Sequence, residues 1–282
     1  MKYVKWFPIF VLAFMLMACS LSVNVPSIRT GVTQTQEIDE KVIAESPVNK
    51  ISIEMGAGSL NLTGGAIALI EGTVRYNIKD WNPSITRTAD TVTLSQKNSS
   101  TIGIPDSTIL NEWDLKIGPT PVDLSLSAGA YEGNLDLSGL SITNLSISDG
   151  ASKSTVQFNS PNPVEMARLI YNTGASEISL IGLGNANVRE IAFDGGVGKY
   201  TIDFSGDLKK ELTMNLNAGM SDITLSIPKN ARALVTIAGG LNNVDARGTW
   251  TISGSTYECG TSGPLITINI DMAVGNLKLE QK

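Results

Sequence analysis

Few side chains in this sequence are of types that do chemistry, and their spacing decides which reactions are open to them. The carboxylates Asp123, Glu132 and Asp136 cluster in sequence, and Asp194 and Asp203 flank one glycine-rich corner. Two carboxylates held across a cleft are what glycoside cleavage requires. Here they fall at alternating polar positions, where solvated charge is the ordinary outcome, and no cationic ring accompanies them. Ser226-Ile227-Pro228-Lys229 has the Ser-x-x-Lys spacing of serine acyl enzymes. That chemistry needs a helix start to bring Lys back over Ser, whereas Pro228 ends what reads as a strand. Gly195-Gly196-Val197-Gly198-Lys199-Tyr200-Thr201 is not a phosphate loop: Phe193 stands where the first glycine belongs and Tyr200 where Ser or Thr belongs. Tyr200 also replaces the aspartate of calcium-binding glycine repeats.

The sequence contains no histidine. That removes Ser-His-Asp and Cys-His catalysis, the usual zinc sites and a histidine base. Cys259 therefore has no histidine to activate it and reads as a small buried hydrophobe. Trp81 and Trp113 lie beside Asp80 and Asp114, outside the repeats described below. They are the candidate partner-binding residues, able when exposed to stack on a sugar or anchor a protein. The alternative is that they cap or plug the stack. No cofactor and no metal is expected.

At the N-terminus, Lys2 and Lys5 precede an apolar run from Trp6 to Met17, short for a membrane span and suited to a signal peptide over 1–18. Leu16-Met17-Ala18-Cys19 resembles the lipobox of bacterial lipoproteins. The resemblance implies cleavage before Cys19, diacylglycerol on its sulfur and acylation of the new N-terminus. Each buried methylene is worth ~0.8 kcal/mol, so several chains anchor firmly. Cleavage removes Lys2 and Lys5 and no acid, so 21 basic residues become 19 against 27 acids, a net of −8. Nucleic acid is not an expected partner. Once Cys19 is lipidated, no second cysteine remains to pair with Cys259.

These residues ride on a repeat. Glycines 56, 129, 150, 174, 196, 219 and 240 each follow apolar residues five and three positions earlier, as in Leu124/Leu126 and Ile191/Phe193. An eighth copy centres on Ala273. One position after each corner stands Ala57, Ala130, Ala151, Ala175, Val197, Met220, Leu241 or Val274. Apolar residues return four and six positions on in most copies, as in Ile178/Leu180 and Ile223/Leu225. In two copies the second strand reads as slipped by two, to Leu135/Leu137 and Val156/Phe158. Period-two alternation makes each arm a half-buried strand, and the glycine is expected to permit a bend. Asp149, Asn172, Asp194 and Asn217 sit just before corners, where short polar side chains favour turns.

Central spacings of 21, 24, 22, 23 and 21 residues fall in the solenoid range. The expectation is an all-β, right-handed, single-stranded β-solenoid whose apolar columns line the interior. An antiparallel sandwich of hairpins is the rival. The 73 residues from Gly56 to Gly129 leave room for about three coils. Within them "EGTVRYNI" and "DTVTLSQ" read as strands, "DWNPS" and "NSSTIGIPDST" as loops. The domain plan is then a lipidated tether over 19–47, with part of 36–47 as a cap, and a solenoid over 48–282. It carries a less regular insertion at 63–120 and another near 248–263.

"MGAGSLNLTGG", "IEGTVRYN", "WNPSITRTADTVTLSQ" and "NEWDLKI", followed by "VDLSLSAGAYEGNLDLSGLSITNLSISDGAS", resemble the bacterial toast-rack family. They are also similar to the "putative adhesin" β-solenoid domains and to the C-terminal domain of cell-wall-active antibiotic response proteins. The resemblance covers roughly 36–282 and implies a stacked solenoid at the bacterial envelope, with no catalytic motif. The functional expectation is a non-enzymatic, extracytoplasmic, lipid-anchored protein contacting a protein or glycan. The alternatives are an envelope-stress component modulating a membrane sensor, a polysaccharide-active enzyme, and self-association through end coils.

Overall fold

The computed structural model describes residues 30–96 and 109–282. Within them the alternating pattern becomes fifteen strands of one continuous sheet. The N-terminal end holds β1 (Gln34–Glu40), β2 (Asn49–Gly64), β3 (Ile70–Tyr76), β4 (Pro83–Arg87), β5 (Thr91–Gln96) and β6 (Asn111–Ile117). The repeats are β7 (Val122–Asp136), β8 (Ile142–Gln157), β9 (Met166–Ile181), β10 (Val188–Asp203) and β11 (Leu212–Ile227). The C-terminal end holds β12 (Arg232–Arg247), β13 (Thr251–Ser253), β14 (Thr256–Cys259) and β15 (Leu265–Gln281).

Each coil is one long strand, bent at its corner and closed by a short return. From β2 through β7 to β11, successive strands pair parallel in one register. This is a β-solenoid, and hairpins of neighbouring arms are not its building unit. The inward columns are those of the repeat: Leu124, Leu145, Leu169, Ile191 and Met214 are buried, as are Leu126, Ile147, Tyr171, Phe193 and Leu216. Burying such a side chain contributes about 1.5–3 kcal/mol, which is what fixes the register.

The column after the corner behaves differently from the expectation. Along β7 the inward residues are 122, 124, 126 and 128, then 131 and 135, with Gly129 and Ala130 both exposed. The side-chain phase therefore shifts at the corner, and Ala130, Ala151, Ala175, Val197, Met220 and Val274 face solvent. Val197, Met220 and Val274 are 55%, 62% and 42% exposed.

The glycine requirement also has a different cause. The corner glycines are absent from the positive-φ set. A β-carbon on Gly129, Gly174 or Gly219 would instead lie 2.4–2.6 Å from the carbonyl oxygen of the preceding corner glycine. Close coil-to-coil approach, rather than a special backbone angle, excludes side chains there.

The supposed slip of two copies does not occur. Leu62, Leu135, Val156, Leu180, Ile202 and Leu225 form one in-register column. Gly133 and Ser154 occupy the column two residues earlier, and the Tyr131 ring fills the space: a β-carbon on Gly133 would sit 2.5 Å from it.

Both ends depart from simple coiling. The stretch from 57 to 128 does not make three coils. Beyond β2 the sheet splits: β5 pairs parallel with its first arm and β6 with its second. Antiparallel β4 follows β5, while β3 and then β1 follow β6. Half-length strands cannot continue a bent coil, so each arm ends separately. "DWNPS" carries a 3-10 turn at Lys79–Trp81 and the start of β4. "NSSTIGIPDST" lies outside the described residues. At the other end β15 lies between β11 and β12, so the last strand in sequence is not the last rung in space. The antiparallel pair β13–β14 then covers the first arm of β12.

Candidate interaction surface

In-register stacking turns each outward position into a row across the coils. Three positions after the corner, Glu132, Lys153, Glu177, Lys199 and Asp222 alternate in sign. Two positions further on, the row reads Asn61, Asn134, Thr155, Ser179, Thr201 and Thr224. Amide ladders tie neighbours together: Asn134 Nδ2 donates to Asn61 Oδ1 (3.0 Å) and Asn61 Nδ2 to Asp114 Oδ1 (3.0 Å). Arg168 pairs with Glu190 at 3.2 Å on the other arm. Such exposed pairs hold side chains in place more than they stabilise the fold.

Four of the five carboxylates grouped by sequence, Asp123, Asp136, Asp194 and Asp203, take up ladder and turn duties. Asp123 accepts from Asn144 (3.3 Å) and Asp194 from Asn217 (2.6 Å). Asp136 caps its turn through Ser138; burial raises its pKa, but bonds from Ser138 and Gln157 outweigh this and leave it below the usual range. Ser226 is buried at the end of β11, while Lys229 is exposed beyond Pro228, so no helix brings them together. Cys259 is buried against Ala233, and burial pushes its thiol up to about 11. That is the environment of an inert thiol.

The two tryptophans are not surface platforms. Trp113 is 1% exposed in the core, its Nε1 donating to Asn111 Oδ1 at 2.9 Å. Trp81 is 7% exposed, packed with Ile78, Ala57 and Ile109. Neither ring is available to stack on a sugar, which corrects their reading as exposed contacts: apolar rings at a split sheet end are better buried than wet. Cys19 lies outside the described residues.

Sequence reasoning missed two features. The first is a buried polar seam behind the corners. Asp149, 8% exposed, accepts from Tyr171 Oη (2.9 Å), Thr173 Oγ1 and Ser176 Oγ (3.3 Å). It is an interior acceptor, unlike the exposed Asn172, Asp194 and Asn217. Tyr131 Oη bonds Ser154 Oγ at 3.1 Å, and Tyr171 stacks on Phe193 at 5.6 Å. Burial raises the pKa of both tyrosines.

The second is a surface trough along the corners. Its floor is the backbone of Gly196, Gly219 and Ala273. One rail is the polar row Asp194, Asn217 and Asp271; one residue past the floor, just outside the concavity's own lining, Val197, Met220 and Val274 form an exposed apolar rail on β10, β11 and β15. At the N-terminal end Gln96 closes β5, the rung beside the first arm of β2, and its Oε1 accepts from Gly56 N at 2.9 Å. A search keyed to phase at the corner would have found the apolar rail.

The family model described as the N-terminal domain of toast_rack, DUF2154, matches residues 28–167 and again 161–226. This chain belongs to the toast-rack family. No curated protein matches it in sequence. Among solved structures, a "putative cell adhesion protein" from Clostridium sporogenes ATCC 15579 is 20% identical, with a TM-score of 0.47 over 89% of this chain and 99% of that one. A "putative adhesin" from Bacteroides fragilis NCTC 9343 is 12% identical, with a TM-score of 0.35 over 90% and 99%. A "putative lipid binding protein" from Parabacteroides distasonis ATCC 8503 is 11% identical, with a TM-score of 0.39 over 89% and 99%. Among the described residues of this toast-rack protein, no three His, Cys, Asp or Glu side chains gather as a metal site.

Proposed function

We propose that this toast-rack protein is a non-enzymatic lipoprotein of the bacterial cell envelope that displays its solenoid to bind or adhere to a protein or glycan partner. The observation that carries the reading is the register: identical positions of successive coils stand in straight outward rows about 4.8 Å apart. A rigid, regularly spaced surface suits recognition, whereas Asp123, Asp136, Asp194 and Asp203 are engaged in ladders and turns. The lipobox at Leu16–Cys19 supports a lipid anchor outside the cytoplasm, with the residues before β1 as tether and the sheet from β1 onward as the displayed domain.

Cell fractionation of wild type and Cys19→Ala tests the anchor. Wild type is expected in the membrane fraction and the variant in the soluble extracytoplasmic fraction; equal partition overturns the anchor. Crosslinking and pull-down from the native envelope tests display. Retention of one envelope protein or glycan supports it, and release of products from envelope polysaccharide would replace it with the enzyme reading.

A further inference from the structure

We propose that the open trough over β10, β11 and β15 binds an extended protein segment in which Lys or Arg alternates with large apolar residues. This rests on the display reading and names the surface and the partner chemistry.

The apolar rail is one reason. Among the described residues six large hydrophobic side chains are exposed: Val32, Ile67, Val197, Met220, Ile252 and Val274. Three of the six stand side by side in register, Val197 beside Met220 and Met220 beside Val274. Charge is the second reason. Across the glycine floor, Asp194 and Asp271 flank Asn217, and the next outward row on that arm, Ala192, Asn215 and Asn269, adds no cation. Lys199 lies beyond the apolar rail, between Glu177 and Asp222. Acids therefore outnumber bases around the trough, which attracts a cationic partner and disfavours anionic lipid or nucleic acid.

The shape supplies the third reason. The floor carries no side chain larger than the methyl of Ala273: the three atoms nearest a β-carbon on Gly196 all belong to Gly174, and those for Gly219 all to Gly196. A chain can thus lie close to it. Alternate side chains of an extended segment project to opposite sides, so basic residues would meet the acidic rail and apolar residues the other. From β9 to β12 the trough crosses four coil steps, about 19 Å, the reach of five or six extended residues.

Fluorescence anisotropy on the purified full-length protein tests this, with labelled eight-residue peptides alternating Lys and Leu, Lys and Ser, or Glu and Leu, and with phosphatidylglycerol vesicles as competitor. The Lys-Leu peptide is expected to bind, and the other two at least about tenfold more weakly. Val197→Ser/Met220→Ser/Val274→Ser and Asp194→Asn/Asp271→Asn should each lose about tenfold, the second also flattening the salt dependence. Glu37→Gln/Asp39→Asn, an equal charge change on exposed β1, should leave binding unchanged. Circular dichroism confirms that each variant is folded. Equal binding of the Lys-Ser or Glu-Leu peptide, wild-type affinity in both trough variants, loss in the β1 variant, or displacement by vesicles overturns the proposal. An envelope partner that pulls down equally with the trough variants sinks the trough assignment and leaves the display reading intact. Peptide binding by a wild type that captures nothing from the envelope does the reverse.

Discussion

The carbonyl oxygen of Gly174 lies 2.4 Å from where a β-carbon on Gly196 would begin. No real β-carbon tolerates that approach, and the obstacle is backbone. Gly196→Ala must therefore push two coils apart locally, at a cost of about 2–4 kcal/mol. Urea unfolding should show the loss as a lower midpoint. A change within about 0.5 kcal/mol would mean the corners open without penalty.

Asp149 collects three hydroxyl donors inside the solenoid. Asp149→Ala leaves Tyr171, Thr173 and Ser176 short of their acceptor and should cost about 2–4 kcal/mol. Asp149→Asn keeps one acceptor oxygen and should cost less. Equal stability of the three proteins in thermal melts would show that water replaces the carboxylate.

Burial raises the phenols of Tyr131 and Tyr171 above their ordinary value of 10.0. The folded state thus holds these protons more tightly than the unfolded chain. Stability should be unaffected by these groups below pH 10 and fall as pH rises beyond it. Phenolate absorbance for the two rings should appear with unfolding, not before; early ionisation of all tyrosines would contradict their burial.

Glu280 sits between Lys278 and Lys282 at the end of β15. Hydrogen bonds from the two ammonium groups hold its carboxyl down to about 2. A depressed value stabilises the fold above the ordinary 4.5, and the contribution disappears as pH falls from there towards 2. Solvent screening limits it to about 1 kcal/mol. Glu280→Gln should flatten that part of the acid limb in melts at graded pH; an unchanged slope would dismiss the pair of ammonium bonds as a stabiliser.

Strand β15 fills a rung between two strands that precede it in the chain. A chain ending at Pro264 leaves facing edges on β11 and β12 and uncovers Ile266, Ile268 and Ile270 partners. That chain should lose cooperative melting and regain it with a peptide of residues 265–282 added in trans. Normal melting without the peptide would show that β12 can dock directly on β11.

Much of this toast-rack fold is legible in the residues alone. Apolar residues at five and three positions before each corner can be satisfied only by stacked strands with that face inward, because burial of one face fixes register throughout a strand. The ends were less legible, since a run such as Ile70–Tyr76 alternates identically whether its partner is parallel or antiparallel. The site was less legible still: Trp81 and Trp113 have the side chains of a binding platform, and only their neighbours reveal them as packing.

By itself, then, the order of residues determined the repeat, the coil length and the absence of histidine chemistry, all properties of composition and local period. Tertiary structure decided the rest: that Val197, Met220 and Val274 turn outward, that Asp149 turns inward, and that β15 stacks out of order. The physical reason is that the corner shifts the phase of alternation where the backbones of coils about twenty or more residues apart meet. A one-dimensional pattern carries no record of which atoms meet across such a distance.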